Sequence, residues 1–446
     1  MPELRAGAAS VRITPSSSVD LSGYAHREGA AEGVHDELWC RVLALDDGAS
    51  RLALVGLDLL EVDFELDAAM REAVAEAAAL EPDQVLLSCS HTHAGLAVCA
   101  LSGIGVRSED YVSRLVERVA EAGAASVADL RAGSLGYAEI AARAGINRRE
   151  RMADGSVGLG RNPAGLTDSV VRVLRVDTGG AHPRAVVFHH ACHGTVLGHE
   201  NRMISADWMG AACARVTDRL GADVVALFLQ GCSGQINPDV SEGSFEEVER
   251  VGGEIGDSVL EGAASAAAFR ATPLAGRMLR IELPLQEPPP AAAAYARLKR
   301  AEDELAAARR EGLHPYRIRA METCLGYAEM LARAAETGAR DQTQPFVVQG
   351  LRVGELGIVA LSGEVFLEFA HRIEARSPFR HTLVLGCSNG CTGYVPTAAA
   401  FAEGGYEAED SFCWYGTLPL APEAGDGVVD AGVRLLTELS QEEGAR

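Results

Sequence analysis

One device recurs along this 446-residue chain and limits what it can become. A short run of β-branched and leucine residues leads into a glycine-rich turn carrying polar side chains, and an amphipathic stretch usually follows. The runs are Arg51–Leu60, Gln84–Ser88 leading to SHTHAG, Ala185–His189 leading to HACHG, Val224–Leu229 leading to QGCSGQINP, Leu356–Leu361 leading to SGEVF, and Thr382–Leu385 leading to GCSNGCTGY. Unbroken apolarity over so few residues marks strands buried on both faces. Helical periodicity falls between them, over Asp67–Leu80, Tyr111–Leu130, Trp208–Leu220, Phe245–Ala268, Phe366–Arg376 and Val428–Glu442. The alternation predicts an α/β fold, a layered mixed β-sheet core flanked by helices.

Two regions break the rhythm. Residues 288–344 open on a proline triplet and become charged and helical, which reads as a helical hairpin inserted into a single domain spanning 1–446. Gly145–Asp168 is polar and glycine-rich, and is expected to be a long functional loop. No internal repeat of solenoid length stands out. Lys plus Arg is 40 against 63 Asp plus Glu, a net charge of −23, which argues against nucleic-acid or polybasic membrane binding. No stretch approaches the roughly 18 apolar residues of a spanning helix. The opening MPELRAGAASVRITP has no export signal, so a cytoplasmic location is expected. Ten cysteines without a Cys-x-x-Cys pair read as buried thiols.

Ligand crevices in open α/β sheets lie beyond the carboxyl ends of the strands, and the polar residues of this chain collect there. His91 and His93 follow one run; if the strand continues through them, both imidazoles share a face. His189, His190 and His193 end the next run, Glu364 follows Leu356–Leu361, and Tyr394 follows Thr382–Leu385. Two imidazoles, a carboxylate and a phenol could close around one divalent metal, and zinc accepts such N and O ligands. Taken alone, Arg148 reads as a surface residue in a cluster with Arg149 and Arg151.

The segments SHTHAG (90–95), INR (146–148), HACHGT (190–195), ISADWMG (204–210), SGEVF (362–366), GYVPT (393–397) and GYE (405–407) occur in one order. With GYA at 23–25 and VHDELWCR at 34–41, that ordered set resembles the neutral/alkaline ceramidase family, over nearly the whole chain. The resemblance implies one Zn2+ per chain held by His91, His193, Glu364 and Tyr394. It further places His93, Arg148 and Tyr406 around a scissile amide, with Tyr406 twelve positions beyond Tyr394. The implied chemistry is zinc-hydroxide attack on a linear amide, with Tyr406 or Arg148 stabilising the oxyanion and His93 relaying a proton to the leaving amine.

Departures matter as well. Where the family motif reads GDxSPN, this chain has Gly234-Gln235-Ile236-Asn237-Pro238, so Gln235 stands at the acid and Asn237 at the serine. Asn237 can donate from its amide but cannot act as an alkoxide, which removes a covalent route at that position. Arg446 comes soon after the last motif, so the C-terminal β-sandwich-like domain of full-length ceramidases is expected to be missing. A soluble small-molecule amide is therefore expected rather than a ceramide-like lipid, with homo-oligomerisation left open. The alternatives are ceramidase action proper, a metal-independent hydrolase using Ser233, Cys192 or Cys232, a catalytically silent binding protein of the same fold, and a metal site at Cys387, Cys391 and Cys413.

Overall fold

Three sheets carry the core, and each is built by the same route. In the first, the spatial order is Val85–Cys89, Arg51–Leu57, Trp39–Asp46, Arg5–Arg12 and Arg131–Ala132. The second runs Val225–Gln230, Ala185–His190, Val170–Asp177, Ser134–Ala141 and Ala267–Ala268. The third runs Leu274–Pro284, Thr343–Val353, Leu356–Leu361 and His381–Leu385. This computed structural model describes residues 3–99, 101–240 and 242–442.

In every sheet an antiparallel hairpin is followed by a helix and then by a strand parallel to the hairpin's second arm. Parallel neighbours cannot be joined by a tight turn, so the crossover needs a helix. The crossover helices are Phe64–Ala78, Asp207–Leu220 and Leu367–Glu374. Asp63 starts the first of them, its side chain accepting from the Leu66 amide at 2.8 Å. The six runs expected from hydrophobicity are all strands, and the six amphipathic stretches are all helices, within a few residues at each end.

The ends of the three crossover strands meet. Cys89 N donates to Cys387 O at 2.9 Å, Asn389 N to Leu87 O at 2.9 Å, and Gly386 N to Gln230 O at 3.1 Å. Each of these ends carries a Cys-Ser dipeptide, at 89–90, 232–233 and 387–388. The convergence draws the polar turns of three separate sheets to one point. Buried side chains such as Phe188, Trp208 and Phe366 back it, each contributing roughly 1.5–3 kcal/mol by leaving water.

The connection between Leu274–Pro284 and Thr343–Val353 is a pair of helices, Ala291–Glu311 and Pro315–Thr337. Gly312 and Gly338 end them in the left-handed conformation, with φ of 71° and 62°. Tyr316 ties the pair to the N-terminal segment by donating to Asp20 at 2.9 Å.

The expectation for Gly145–Asp168 is corrected. Gly145–Arg151 and Val157–Asn162 form an antiparallel hairpin, and the first arm also pairs with Ile236–Pro238. Asn147, Arg148 and Arg149 conceal the pattern, because their polar heads are buried against partners elsewhere in the chain.

Candidate metal centre

Strand Val85–Cys89 stops before the histidines, and His91 adopts φ 64°, the left-handed region. The reading of a strand continuing through both is therefore overturned: the chain turns at His91, and that turn aims the two rings together. A non-glycine residue held there costs of order 1 kcal/mol or more and needs support from its surroundings. His91 N donates to Leu59 O at 2.9 Å, and its Nδ1 lies 3.0 Å from Leu60 O.

The other two rings are held in the same manner. His93 Nδ1 lies 3.0 Å from Gly23 O, and His193 Nδ1 lies 2.9 Å from Ser233 O and 3.1 Å from Ile236 O. Gly23 has φ 97°, and a Cβ there would sit 2.5 Å from the His93 Nδ1, so only glycine fits.

A carbonyl only accepts hydrogen bonds. Each Nδ1 therefore carries its ring hydrogen, and each Nε2 offers a lone pair when its ring is neutral. Those lone pairs converge: His91 and His93 Nε2 lie 3.4 Å apart, and Glu364 Oε2 lies 2.8 Å from His193 Nε2 and 3.3 Å from His91 Nε2. Inward-facing lone pairs and a carboxylate repel one another unless positive charge lies among them. An N and O donor set with each imidazole oriented by a carbonyl is what a zinc-like ion requires. The three imidazoles form one group within reach of a single ion, and Glu61, His91 and Cys387 form another. Glu364 belongs with the first group, since its Oε2 is closer to His193 than the His91 and His93 nitrogens are to each other.

The electrostatics follow from the same contacts. Burial opposes charge on His91, yet Glu364 beside it raises its pKa above the ordinary value. Burial likewise opposes the Glu364 carboxylate, but His91 and His193 hold its pKa well below the usual range. Burial and the Arg148 guanidinium push His193 down to about 4, while burial and the two neighbouring imidazoles push His93 well down. Burial and Glu364 raise Glu61 to about 7.

Arg148 forms the opposite wall. Its Nε donates to Glu407 Oε1 at 2.7 Å, Nη1 to Asn237 Oδ1 at 3.1 Å and toward His193 Nε2 at 3.0 Å, and Nη2 to Tyr394 Oη at 2.9 Å. The surface-cluster reading is overturned for Arg148 and Arg149, which are both buried, and holds for Arg151. Consecutive strand residues normally face opposite ways. Here a register shift between Asn147 and Arg149 lets both arginines reach the two oxygens of Glu407, each at 2.7 Å.

Glu364 and Tyr394 are directly paired across a short parallel bridge, which sets carboxylate and phenol side by side. The Tyr406 ring lies 5.7 Å from that of Tyr394, and its hydroxyl bonds to none of the described residues. The structure thus gathers all of His91, His93, His193, Glu364, Tyr394, Arg148, Asn237 and Tyr406 around one point.

The sequence profile described as neutral/alkaline non-lysosomal ceramidase, N-terminal, matches residues 5–266, more than half of the chain. The chain belongs to that family. Among solved structures, neutral ceramidase from Pseudomonas aeruginosa matches with TM-score 0.76 at 18% identity, covering 100% of this chain and 76% of the other. A ceramidase complexed with C2 matches with TM-score 0.73 at 17% identity, covering 100% and 77%. At such identity the likeness is one of fold. Membership of the ceramidase family points to a hydrolase acting on amide bonds.

Against the ceramidase motif, the two exchanged residues have separate surroundings. Gln235 accepts from the Leu367 amide at 3.1 Å and donates to Glu368, so it caps the crossover helix Leu367–Glu374. Asn237 is fixed by Arg148 through its oxygen, which leaves its amide nitrogen to donate elsewhere. Ser233, Cys192 and Cys232 are all buried, and burial raises the pKa of both thiols, which disfavours a thiolate nucleophile at either. Cys413 faces Cys324 at 3.6 Å and Cys391 faces Glu61 at 2.7 Å, so the site suggested at Cys387, Cys391 and Cys413 does not assemble.

Three side chains at the centre escape sequence reasoning. Glu407 lies inside the GYE segment, where the family resemblance assigns a role to its neighbour Tyr406 alone. Tyr415 sits on a four-residue helix, Phe412–Tyr415, too short to show any period. Glu61 follows a strand as Glu364 does, and that shared position was the one available signal.

Proposed function

We propose that this chain is a zinc-dependent amidohydrolase acting on the linear N-acyl bond of a soluble substrate. One ion per chain is held by His91, His193, Glu364 and Tyr394. The observation that carries the reading is the convergence of imidazole Nε2 atoms and Glu364 Oε2 while every Nδ1 is committed to a backbone carbonyl. Bound zinc would supply Lewis acidity toward the carbonyl and a water of lowered pKa.

The protein's own groups divide the remaining work. Tyr406, the phenol left unengaged by the described residues, donates to the oxygen that gains charge as the carbonyl is attacked. Arg148 holds the Tyr394 oxygen and the Asn237 amide in place, and its positive charge lies beside the same developing anion. His93, with Nδ1 pinned to Gly23 O, presents Nε2 to take a proton and return it to the leaving amine. Asn237 contributes its amide nitrogen as a substrate donor and forms no covalent intermediate.

The strong acidic balance supports a soluble amide over a ceramide-like lipid. No helix among the described residues is long and apolar enough to cross a membrane. The ten free thiols suit a reducing compartment, and a cytoplasmic location is part of the same proposal.

The test combines elemental analysis with turnover. Protein purified without added metal should carry about one zinc per chain, lose activity to a chelator and regain it with zinc. A panel of N-acyl amides of graded chain length then separates substrate classes, with short acyl groups on polar amines expected to turn over fastest. Highest turnover on ceramide dispersed in detergent would replace the soluble-amide reading. Failure to bind zinc at all would remove the mechanism.

A further inference from the structure

We propose that Tyr415 is a positioning residue for the metal centre, fixing the Glu364 carboxylate so that Oε2 alone faces the three imidazoles. This rests on the metal reading above. Glu364 has two chemically equivalent oxygens and a freely rotating terminal torsion. Oε2 faces His193 at 2.8 Å, and Oε1 accepts from Tyr415 Oη at 2.8 Å. Without that donor nothing selects between the oxygens, and the group is free to turn both toward a cation or to swing away from it.

The phenol is held for this task. Its ring lies against Gly393, where a Cβ would come within 3.0 Å of it, and Gly393 has φ 93°. Gly393 O also accepts from the Glu364 amide at 2.9 Å, so ring and carboxylate are referenced to the same peptide. Behind the ring, Ser102 N donates to Trp414 O at 2.9 Å, and Phe412 is fully buried at the start of the short helix.

The three phenols around Glu364 then have distinct tasks: Tyr394 joins the metal ligands and accepts from Arg148, Tyr415 donates to Glu364, and Tyr406 meets the substrate. Orienting partners of this kind typically govern about 10–100-fold in metal affinity.

The decisive experiment is zinc titration of metal-free protein against a competing chelator, for the wild type, Tyr415→Phe and Tyr406→Phe. Tyr415→Phe keeps the ring on Gly393 and removes only the hydroxyl. Its zinc affinity should fall about 10–100-fold, with the thermal midpoint of the metal-free protein unchanged. Tyr406→Phe should bind zinc as the wild type does. Wild-type affinity in Tyr415→Phe would overturn the positioning role and leave the metal reading intact. A wild type that takes up no zinc would defeat the metal reading itself, and this proposal with it. An equal loss in both variants would also overturn it, since the effect would then not be specific to the Glu364 contact.

Discussion

The two halves of the centre are held by different kinds of bond. The imidazoles of His91, His93 and His193 come from the part matched by the family profile, and each is oriented by a backbone carbonyl. Glu364, Tyr394 and Glu407 come from beyond it and are oriented by side chains: Tyr415 for Glu364, Arg148 for Tyr394, Arg148 and Arg149 for Glu407. Any residue supplies a carbonyl, so the first kind of anchor depends on the path of the chain, and on a particular letter only where that path admits glycine alone, as at Gly23. The second kind is lost with a single substitution. In the proposed zinc centre each half would supply two ligands, His91 and His193 from the first and Glu364 and Tyr394 from the second, and those of the second half would be the more easily displaced.

The comparison breaks most visibly at the imidazoles. His193→Ala should take bound zinc from about one per chain to none and abolish turnover, because it removes a proposed ligand fixed twice by carbonyls, and His93 is itself pinned by Gly23 O. Retained zinc would mean that His193 is not among the ligands. In the other half the largest effect should fall on stability. Glu407→Ala leaves two buried guanidinium groups without their shared carboxylate, a loss of about 3–5 kcal/mol measurable by denaturant unfolding. A loss below about 1 kcal/mol would show that the carbonyls of Ala400 and Gly404 suffice for Arg149. Tyr406→Phe should leave zinc in place and lower kcat by about 10²–10³, the size of one lost oxyanion donor. Unchanged kcat would remove Tyr406 from the chemistry.

What the sequence discloses divides along similar lines. The parallel core strands were legible because burial on both faces leaves an unbroken apolar run, as in Leu356–Leu361, where every residue is buried. Antiparallel strands such as Leu274–Pro284 were not, since one face meets water and the pattern is diluted by Arg277, Arg280 and Glu282. His91 and His93 were legible as a pair, but for a geometric reason that does not hold, because left-handed backbone at a histidine has no signature in the letters. Arg148 depends on a β-bulge and on a carboxylate 259 residues away, and only the family resemblance reached it. Tyr415 was invisible to both routes: the positioning role proposed for it rests on one hydroxyl and on the ring's contact with Gly393.

The smallest expected effect tests the seam between the halves. Gln235 belongs to the first half, yet its side chain satisfies the Leu367 amide at the start of a helix in the second, and its own nitrogen reaches Glu368. At the corresponding place the ceramidase motif carries an acid, which invites a catalytic reading. The geometry supports a different one: a helix N-terminus leaves amides without partners, and a side-chain oxygen from elsewhere in the fold can fill that need as an N-cap residue does. Gln235→Ala should therefore cost about 1–2 kcal/mol of stability, with zinc content and kcat close to wild type. Gln235→Glu keeps the accepting oxygen but brings a second carboxylate against Glu368, and it should be the less stable of the two variants. If Gln235→Ala instead lowers kcat by tenfold or more at unchanged stability, the residue acts on substrate, and the seam is part of the active surface.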